Sequence, residues 1–250
     1  MRIPIAFFLL TFCINSCDAQ QDSAASANGG EFTQVFPYPT EQPNKLYANV
    51  KQEANAKRAK WLVHYKTLSQ DKKQTYLTQL GDSFTNLLLG SIVPYWYGTD
   101  WDFNGYTDIP NEGSVACGYF VSTTLKHAGL NINRYKMAQQ GGMNEAKTLD
   151  LGQKMIKSYD INKYTLNEII DALPRGLYFV GMDFHVGFVF KDTAKAWFIH
   201  SDYYNDKVVA EQADLSTNFI HNKVYVFEPI SANTALMRKW LLGEWLEVVH

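Results

Sequence analysis

The stretch that decides the fold runs from Leu177 to Ser201 and reads LYFVGMDFHVGFVFKDTAKAWFIHS. Aromatic and β-branched residues dominate it on both sides of a polar segment at 191–195. This pattern predicts a β-hairpin with strands over Leu177–Phe190 and Ala196–Ser201. His185 falls in the middle of the first strand, where a polar residue needs a reason. Catalysis is one reason, and a core imidazole satisfied by hydrogen bonds is the other.

His185 and His200 share one face of this hairpin if the turn holds an even number of residues. A two-residue turn at Asp192-Thr193 places the two histidines directly opposite each other. His200 would then hold His185 in the tautomer that a general base needs. Asp202 is the competing partner, because a slip of two residues brings it opposite His185.

Cys117 is predicted to lie in the first turn of a helix that Ser114 caps and Gly129 ends. The helix runs to about Ala128, and Cys117 shares its buried stripe with Val121. A cysteine attacks as its thiolate, and both a helix N-terminus and a nearby imidazolium lower the pKa of a thiol. The free N–H groups of the same turn also suit an oxyanion. Cys117 is therefore a candidate nucleophile.

The N-terminus is typical of an export signal. Arg2 is followed by an apolar run that is shorter than the roughly 20 residues needed to span a bilayer, so residues 1–19 are predicted to be a secretory signal peptide. Ile14-Asn15-Ser16-Cys17 resembles a lipoprotein box, in which Cys17 would carry a lipid anchor. Cleavage after Ala19, which releases a soluble protein, is the alternative. Either way Cys117 is left as the free thiol of the mature chain.

The rest of the chain divides into predicted elements. Residues 20–43 are expected to form a tether, and residues 44–92 a helical hairpin whose second helix Ser69 caps. The aromatic loop at 95–106 either lines a groove or fills the core. A capping box at Thr165 predicts a short helix that ends at Leu173-Pro174. A strand at 223–227 and a helix over about 233–242 complete the pattern.

Composition and motifs exclude several classes of function. The formal net charge is −2 and there is no long basic run, so nucleic acid is not an expected partner. No pair of residues has the HExxH or CxxC spacing, and Cys117, His185 and His200 would be an unusual zinc set. We therefore expect neither a metal nor another cofactor.

Three segments resemble the NlpC/P60 family of papain-like cell-wall peptidases. Tyr95-Trp96-Tyr97-Gly98 and Ala116-Cys117-Gly118-Tyr119-Phe120-Val121 are similar to the family's aromatic stretch and its Asp-Cys-Ser-Gly-Phe-Val nucleophile motif. Leu173–Phe179 is similar to its Pro-Gly-Asp-Leu-Val-Phe-Phe strand. His185–Phe190 and Trp197–Ser201 are similar to its His-Val-Gly-Ile-Tyr strand and the Phe-Ile-His-Ala continuation. Ala116 and Gly118 depart from the usual Asp and Ser.

The resemblance implies an α+β, papain-like NlpC/P60 fold in which an antiparallel sheet packs against the helix that carries the nucleophile, with residues 93–250 as the catalytic domain. It implies Cys117 as nucleophile, His185 as general base, His200 as its orienter and Tyr97 near the oxyanion. The implied activity is that of an exported cysteine peptidase of the periplasm or cell envelope, acting on peptidoglycan stem peptides at the bond between D-glutamate and the diamino acid. A CHAP-like amidase and a non-catalytic lipoprotein module that keeps the fold are the alternatives.

Overall fold

The computed structural model describes residues 36–41, 43 and 45–250. The predicted signal peptide, Cys17 and most of the tether lie outside this range. The helices and strands are α1 Tyr47–Thr67, α2 Gln70–Leu87, a π-helical turn Leu88–Ile92, a 3-10 turn Val93–Tyr95, α3 Cys117–His127, β1 Asn131–Ile132, α4 Arg134–Ala138, α5 Gly142–Leu149, β2 Ile156–Ser158, α6 Lys163–Ala172, β3 Gly176–Met182, β4 Val186–Lys191, β5 Ala196–Asp202, β6 Lys207–Gln212, α7 Thr217–Ile220, β7 Tyr225–Pro229, α8 Thr234–Leu242 and β8 Trp245–Leu246. Within the described residues, no helix combines the length and apolar character needed to cross a membrane.

A six-stranded antiparallel sheet with the order β2-β7-β3-β4-β5-β6 forms the centre of the molecule. One face buries Phe188 and Ile199 in the same apolar core as Phe120 and Val121 of α3. The other face packs Phe198 with residues of α6 and α7 in a second core. The prediction of mixed helices with an antiparallel sheet, compatible with an α+β protein, is confirmed.

The predicted long strand over Leu177–Phe190 is wrong, because a tight turn divides it into β3 and β4. The main-chain N–H of Met182 donates to the carbonyl of His185 across this turn, at 2.8 Å. Asp183 accepts a hydrogen bond from the main-chain N–H of Lys223, and Phe184 is exposed. His185 therefore lies at the end of a turn, immediately before β4, rather than in the middle of a strand.

The predicted two-residue turn at Asp192-Thr193 is also wrong. Lys191 pairs with Ala196, so four residues form the turn between β4 and β5. The carboxylate of Asp192 fixes it by accepting the main-chain N–H groups of Ala194 and Lys195, both at 2.6 Å. Relative to the predicted register, the strands are shifted by two residues, which places Gly187 beside His200.

The N-terminal helical hairpin packs against the C-terminal helix. Trp240 of α8 contacts Trp61 of α1 and Phe84 of α2, with ring centroids 5.6 and 5.0 Å apart. Phe36, in the last part of the predicted tether, is buried, and its ring lies 5.2 Å from that of Trp197 on β5. Aromatic burial thus holds the end of this segment on the sheet.

Ser69 lies at the N-cap position of α2, as predicted, although its side chain makes no capping hydrogen bond. Two further predicted helix starts are those of α6 and α8. The helix predicted from a capping box at Thr165 begins at Lys163, and the main-chain N–H of Thr165 donates to Asn162 at 3.1 Å, so Asn162 is the cap. The predicted C-terminal helix is confirmed, with Asn233 as its N-terminal cap.

Candidate active site

Cys117 is the first residue of α3, closer to the helix N-terminus than predicted. Ser114 does not cap the helix, because it forms a β-bridge with Asp100. The cap position belongs to Ala116, whose side chain makes no capping hydrogen bond. Cys117 thus lies at the positive end of the helix dipole, where the first-turn N–H groups have no partners within the helix.

The thiol of Cys117 is a weaker acid than we predicted from the helix start. Burial raises the pKa of Cys117 to about 11, and the charge of the neighbouring Glu145 carboxyl, when that group is ionised, acts in the same direction. Hydrogen bonding from the main-chain N–H of Val186, and from those of Gly118 and Cys117 itself, lowers the pKa by less. The resting state is therefore a neutral thiol, which needs a base to remove its proton during attack.

His185, His200 and Glu211 form a continuous chain of hydrogen bonds. Nε2 of His185 lies 2.8 Å from Nδ1 of His200, and Nε2 of His200 lies 3.1 Å from Oε1 of Glu211. Both imidazoles are buried, whereas the side chain of Glu211 is partly exposed. Nδ1 of His185 is buried with no hydrogen-bond partner among the described residues.

The chain of hydrogen bonds determines the tautomers. A carboxylate only accepts hydrogen bonds, so the proton of His200 lies on Nε2, facing Glu211. Nδ1 of His200 is then an acceptor, and the proton of His185 must lie on Nε2 to donate to it. This leaves a lone pair on Nδ1 of His185, the nitrogen without a partner. The arrangement therefore prepares His185 to accept a proton at Nδ1.

The imidazole of His185 is also held in its neutral form. Burial, and to a smaller extent the neighbouring His200, hold the pKa of His185 well below its usual value. A neutral imidazole beside a neutral thiol is the state from which a base takes a proton as the sulfur attacks.

Cys117 and His185 line the same cleft, which has a volume of about 170 Å³. Its other lining residues are Gly118, Ala138, Gln140, Gly141, Gly142, Glu145, Met182, Asp183, Phe184 and Val186. A second hollow of about 330 Å³ shares Gly141, Gly142, Met182 and Asp183 with it and extends to Val224 and Val226. Together they give the site a path along the surface beside Cys117.

The aromatic loop is divided between the core and the site. Trp96 is fully buried and packs against Phe120 of α3, as the core interpretation predicted. Trp101 lies 6.0 Å from Tyr203, whose ring is 5.3 Å from that of His185. This end of the loop therefore lies near the histidine, but no residue of the loop is among those that line the cleft beside Cys117.

Tyr97 is not among the residues that line the cleft beside Cys117. It borders a separate hollow with Gly98, Lys207 and Val208. Burial raises the pKa of its phenol. We therefore give Tyr97 no part in the chemistry below, although the resemblance implied one.

Asp202 does not take the orienting role. Its carboxylate accepts hydrogen bonds from the side chains of Asn205 and Asn218 and from the main-chain N–H of Tyr204. Potential ligand atoms of His200, Asp202 and Glu211 lie within 4.8 Å of one another. Both ring nitrogens of His200 already take part in hydrogen bonds, so a metal would have to displace one of them. The cluster is better explained as a hydrogen-bond network.

The sequence did not predict two residues of the site, Glu211 and Glu145. Glu211 lies on β6, which pairs with β5 so that Val209 faces His200 and Glu211 is its diagonal neighbour. The signal was the run KVVAEQ at 207–212, which follows His200 after a polar turn.

No family model, curated protein or solved structure matches this chain. The geometry of the site is therefore the main basis for assigning a function.

Proposed function

We propose that this protein is an exported cysteine peptidase that hydrolyses amide bonds in peptidoglycan stem peptides, at the bond between D-glutamate and the diamino acid. The observation that carries the proposal is the chain from His185 through His200 to Glu211. It leaves an unprotonated nitrogen on His185, a residue that lines the same cleft as Cys117. A thiol, a base and an orienting group are the parts that covalent amide hydrolysis requires.

The proposed reaction uses these groups in order. Nδ1 of His185 takes the thiol proton as the sulfur of Cys117 forms a bond to the substrate carbonyl carbon. His185 then returns the proton to the amide nitrogen, the carbon–nitrogen bond breaks and the amine leaves. Water loses a proton to His185 and attacks the resulting thioester, which releases a carboxylic acid and restores the Cys117 thiol.

The substrate class rests on the resemblance and on the export signal. The segments at 95–98, 116–121, 173–179 and 185–201 are similar to those of NlpC/P60 peptidases, and the signal predicted at 1–19 would deliver the protein to the cell envelope. Gly141 and Gly142, which line both hollows, add no side chains to the surface that joins them. An extended peptide fits such a surface better than a compact ligand.

Hydrolysis of a defined peptide tests the proposal. We expect a synthetic stem peptide, L-Ala-γ-D-Glu-diamino acid-D-Ala, to be cut after D-glutamate, with both fragments identified by mass spectrometry. Cys117→Ala should abolish cleavage, because it removes the attacking sulfur. His64→Ala is the matched control among the histidines, since His64 lies on α1 and contacts Tyr76. It should cleave at the wild-type rate.

The products also separate the alternatives. Cleavage of purified peptidoglycan at the bond joining the sugar lactyl group to L-Ala would favour an amidase of the CHAP type. An intact peptide and intact peptidoglycan, after incubation with protein that remains folded, would overturn the enzymatic proposal. That result would favour the non-catalytic lipoprotein module.

A further inference from the structure

Glu145 is a buried carboxyl group that the reaction described above does not use. It lies on α5, it is 1% exposed, and it lines the cleft together with Cys117 and His185. Its Oε2 atom has no hydrogen-bond partner within the described part of the chain. Unsatisfied buried polar atoms are rare in proteins and call for an explanation.

Gly118 shows how closely Glu145 approaches the start of α3. A Cβ atom at position 118 would lie 3.2 Å from Oε1 of Glu145 and 2.8 Å from the carbonyl oxygen of Ala138. A side chain at 118 would therefore push α4 and α5 away from the nucleophile. The glycine that departs from the family's serine is what lets the carboxyl group of Glu145 reach the first turn of the helix.

The surroundings of Glu145 favour its neutral form. The ionisable groups that line the cleft with it are Cys117, His185 and Asp183, and no lysine or arginine among the described residues lines the cleft. Burial therefore raises the pKa of Glu145 well above its usual value. A protonated carboxyl group is a hydrogen-bond donor, which a carboxylate is not.

We propose that Glu145 donates a hydrogen bond from its protonated carboxyl group to the carbonyl oxygen that Cys117 attacks, and so forms one side of the oxyanion hole. This inference rests on the proposed hydrolase function. It supplies a side-chain hydrogen-bond donor for the oxyanion, the role that the resemblance had implied for Tyr97. The first-turn N–H groups of α3, which have no partners within the helix, would supply the other donors. A carboxylic acid kept neutral by its site is known to act in this way elsewhere.

The pH dependence of the donor has a defined sign. Glu145 donates only while it is protonated, so activity should fall as the pH rises through its raised pKa. Glutamine has the same shape and keeps an N–H donor at every pH. Glu145→Gln should therefore hold kcat/KM within about fivefold of wild type at neutral pH and lose this alkaline fall. Glu145→Ala should lower kcat by roughly 10²- to 10³-fold, the usual effect of removing one oxyanion donor.

Glu228 supplies the matched control. It is also fully buried, and its Oε2 atom has no partner within the described residues, but it lies on β7 and does not line the cleft. Glu228→Ala should leave kcat close to that of wild type. An equal loss of kcat in Glu145→Ala and Glu228→Ala, or an alkaline fall that persists unchanged in Glu145→Gln, would show that Glu145 has only a structural role.

A spectroscopic measurement keeps this inference separate from the proposed function. The infrared spectrum at neutral pH should contain the C=O stretch of a protonated carboxyl group that is absent from Glu145→Gln. Without this band, the neutral-donor assignment fails even if the protein is an active peptidase. If the band is present but the wild-type protein hydrolyses nothing, the proposed function fails, and the oxyanion role fails with it.

Discussion

At the scale of single residues, the site depends on which nitrogen of His185 carries the proton. Glu211 determines the tautomer of His185 without contacting it, because its carboxylate orients His200 and His200 in turn orients His185. Without the carboxylate, His200 could present either nitrogen to His185. The free lone pair on Nδ1 of His185 would then be lost in part of the molecules.

Replacement of Glu211 tests this relay. In Glu211→Ala we expect kcat/KM to fall by about 10- to 100-fold. In ¹⁵N NMR spectra of the imidazoles, His185 should carry its proton on Nε2 in the wild type and on a mixture of both nitrogens in the variant. Glu247→Ala is the control, because Glu247 is exposed and its side chain accepts a hydrogen bond from Trp245; it should change neither kcat/KM nor the tautomer of His185. A proton on Nδ1 of His185 in the wild type would contradict the assignment.

The contact between the two histidines was predicted, although the register used to predict it was wrong. The shift of two residues puts Gly187 beside His200, and a Cβ atom at 187 would lie 3.0 Å from that of His200. The absence of a side chain there leaves space for the ring of His185 to reach His200 from the turn. Propensity alone could not show this, because the turn at 183–185 is fixed by the main-chain hydrogen bond from Met182 and by contacts distant in sequence.

At the scale of elements, the long segments were predictable and the short ones were not. α2 and α8 have a clear amphipathic pattern, and the β4–β5 hairpin is rich in aromatic and β-branched residues. α1 was also predicted, although its apolar residues follow almost no helical period. By contrast, α4 and α5 are 5 and 8 residues long, and they follow one another through Gln139–Gly141. α5 is amphipathic, but both helices are too short for periodicity alone to reveal them. They nevertheless bring Glu145 and the glycines at 141–142 to the cleft. Tertiary packing, rather than local preference, places them.

The junction between these short helices and α3 makes Gly118 sensitive to substitution. Gly118→Ser should lower the free energy of unfolding by about 1–3 kcal/mol, because the added atoms overlap Ala138 and Glu145. Gly141→Ala is the control, since a Cβ atom there meets nothing within 4 Å and φ is −70°. Urea unfolding should show the control within about 0.5 kcal/mol of wild type. Equal stability of the two variants would contradict the proposed close approach.

At the scale of the whole molecule, Cys117 and His200 belong to opposite faces of the central sheet, and His185 links them at its end. Cys117 comes from a helix on one face, whereas His200 points to the other face, where Phe198 packs. His185 connects them because it lies in the turn at the end of the sheet rather than on either face. The sequence predicted the three residues and the mixed helix-and-sheet architecture. It could not predict the cleft, which depends on how α5 packs against β3 and β7.

The central claim is that Cys117 attacks a peptide carbonyl with His185 as its base. The most direct test uses a stem-peptide analogue that ends at D-glutamate in a chloromethyl ketone, which forms a thioether and releases chloride when a thiol attacks it. We predict one adduct, mapped to Cys117 by peptide mass spectrometry, that forms at least about tenfold more slowly in His185→Ala and is suppressed by excess native peptide. Folded protein that forms no adduct, or that reacts equally fast without His185, would contradict the claim.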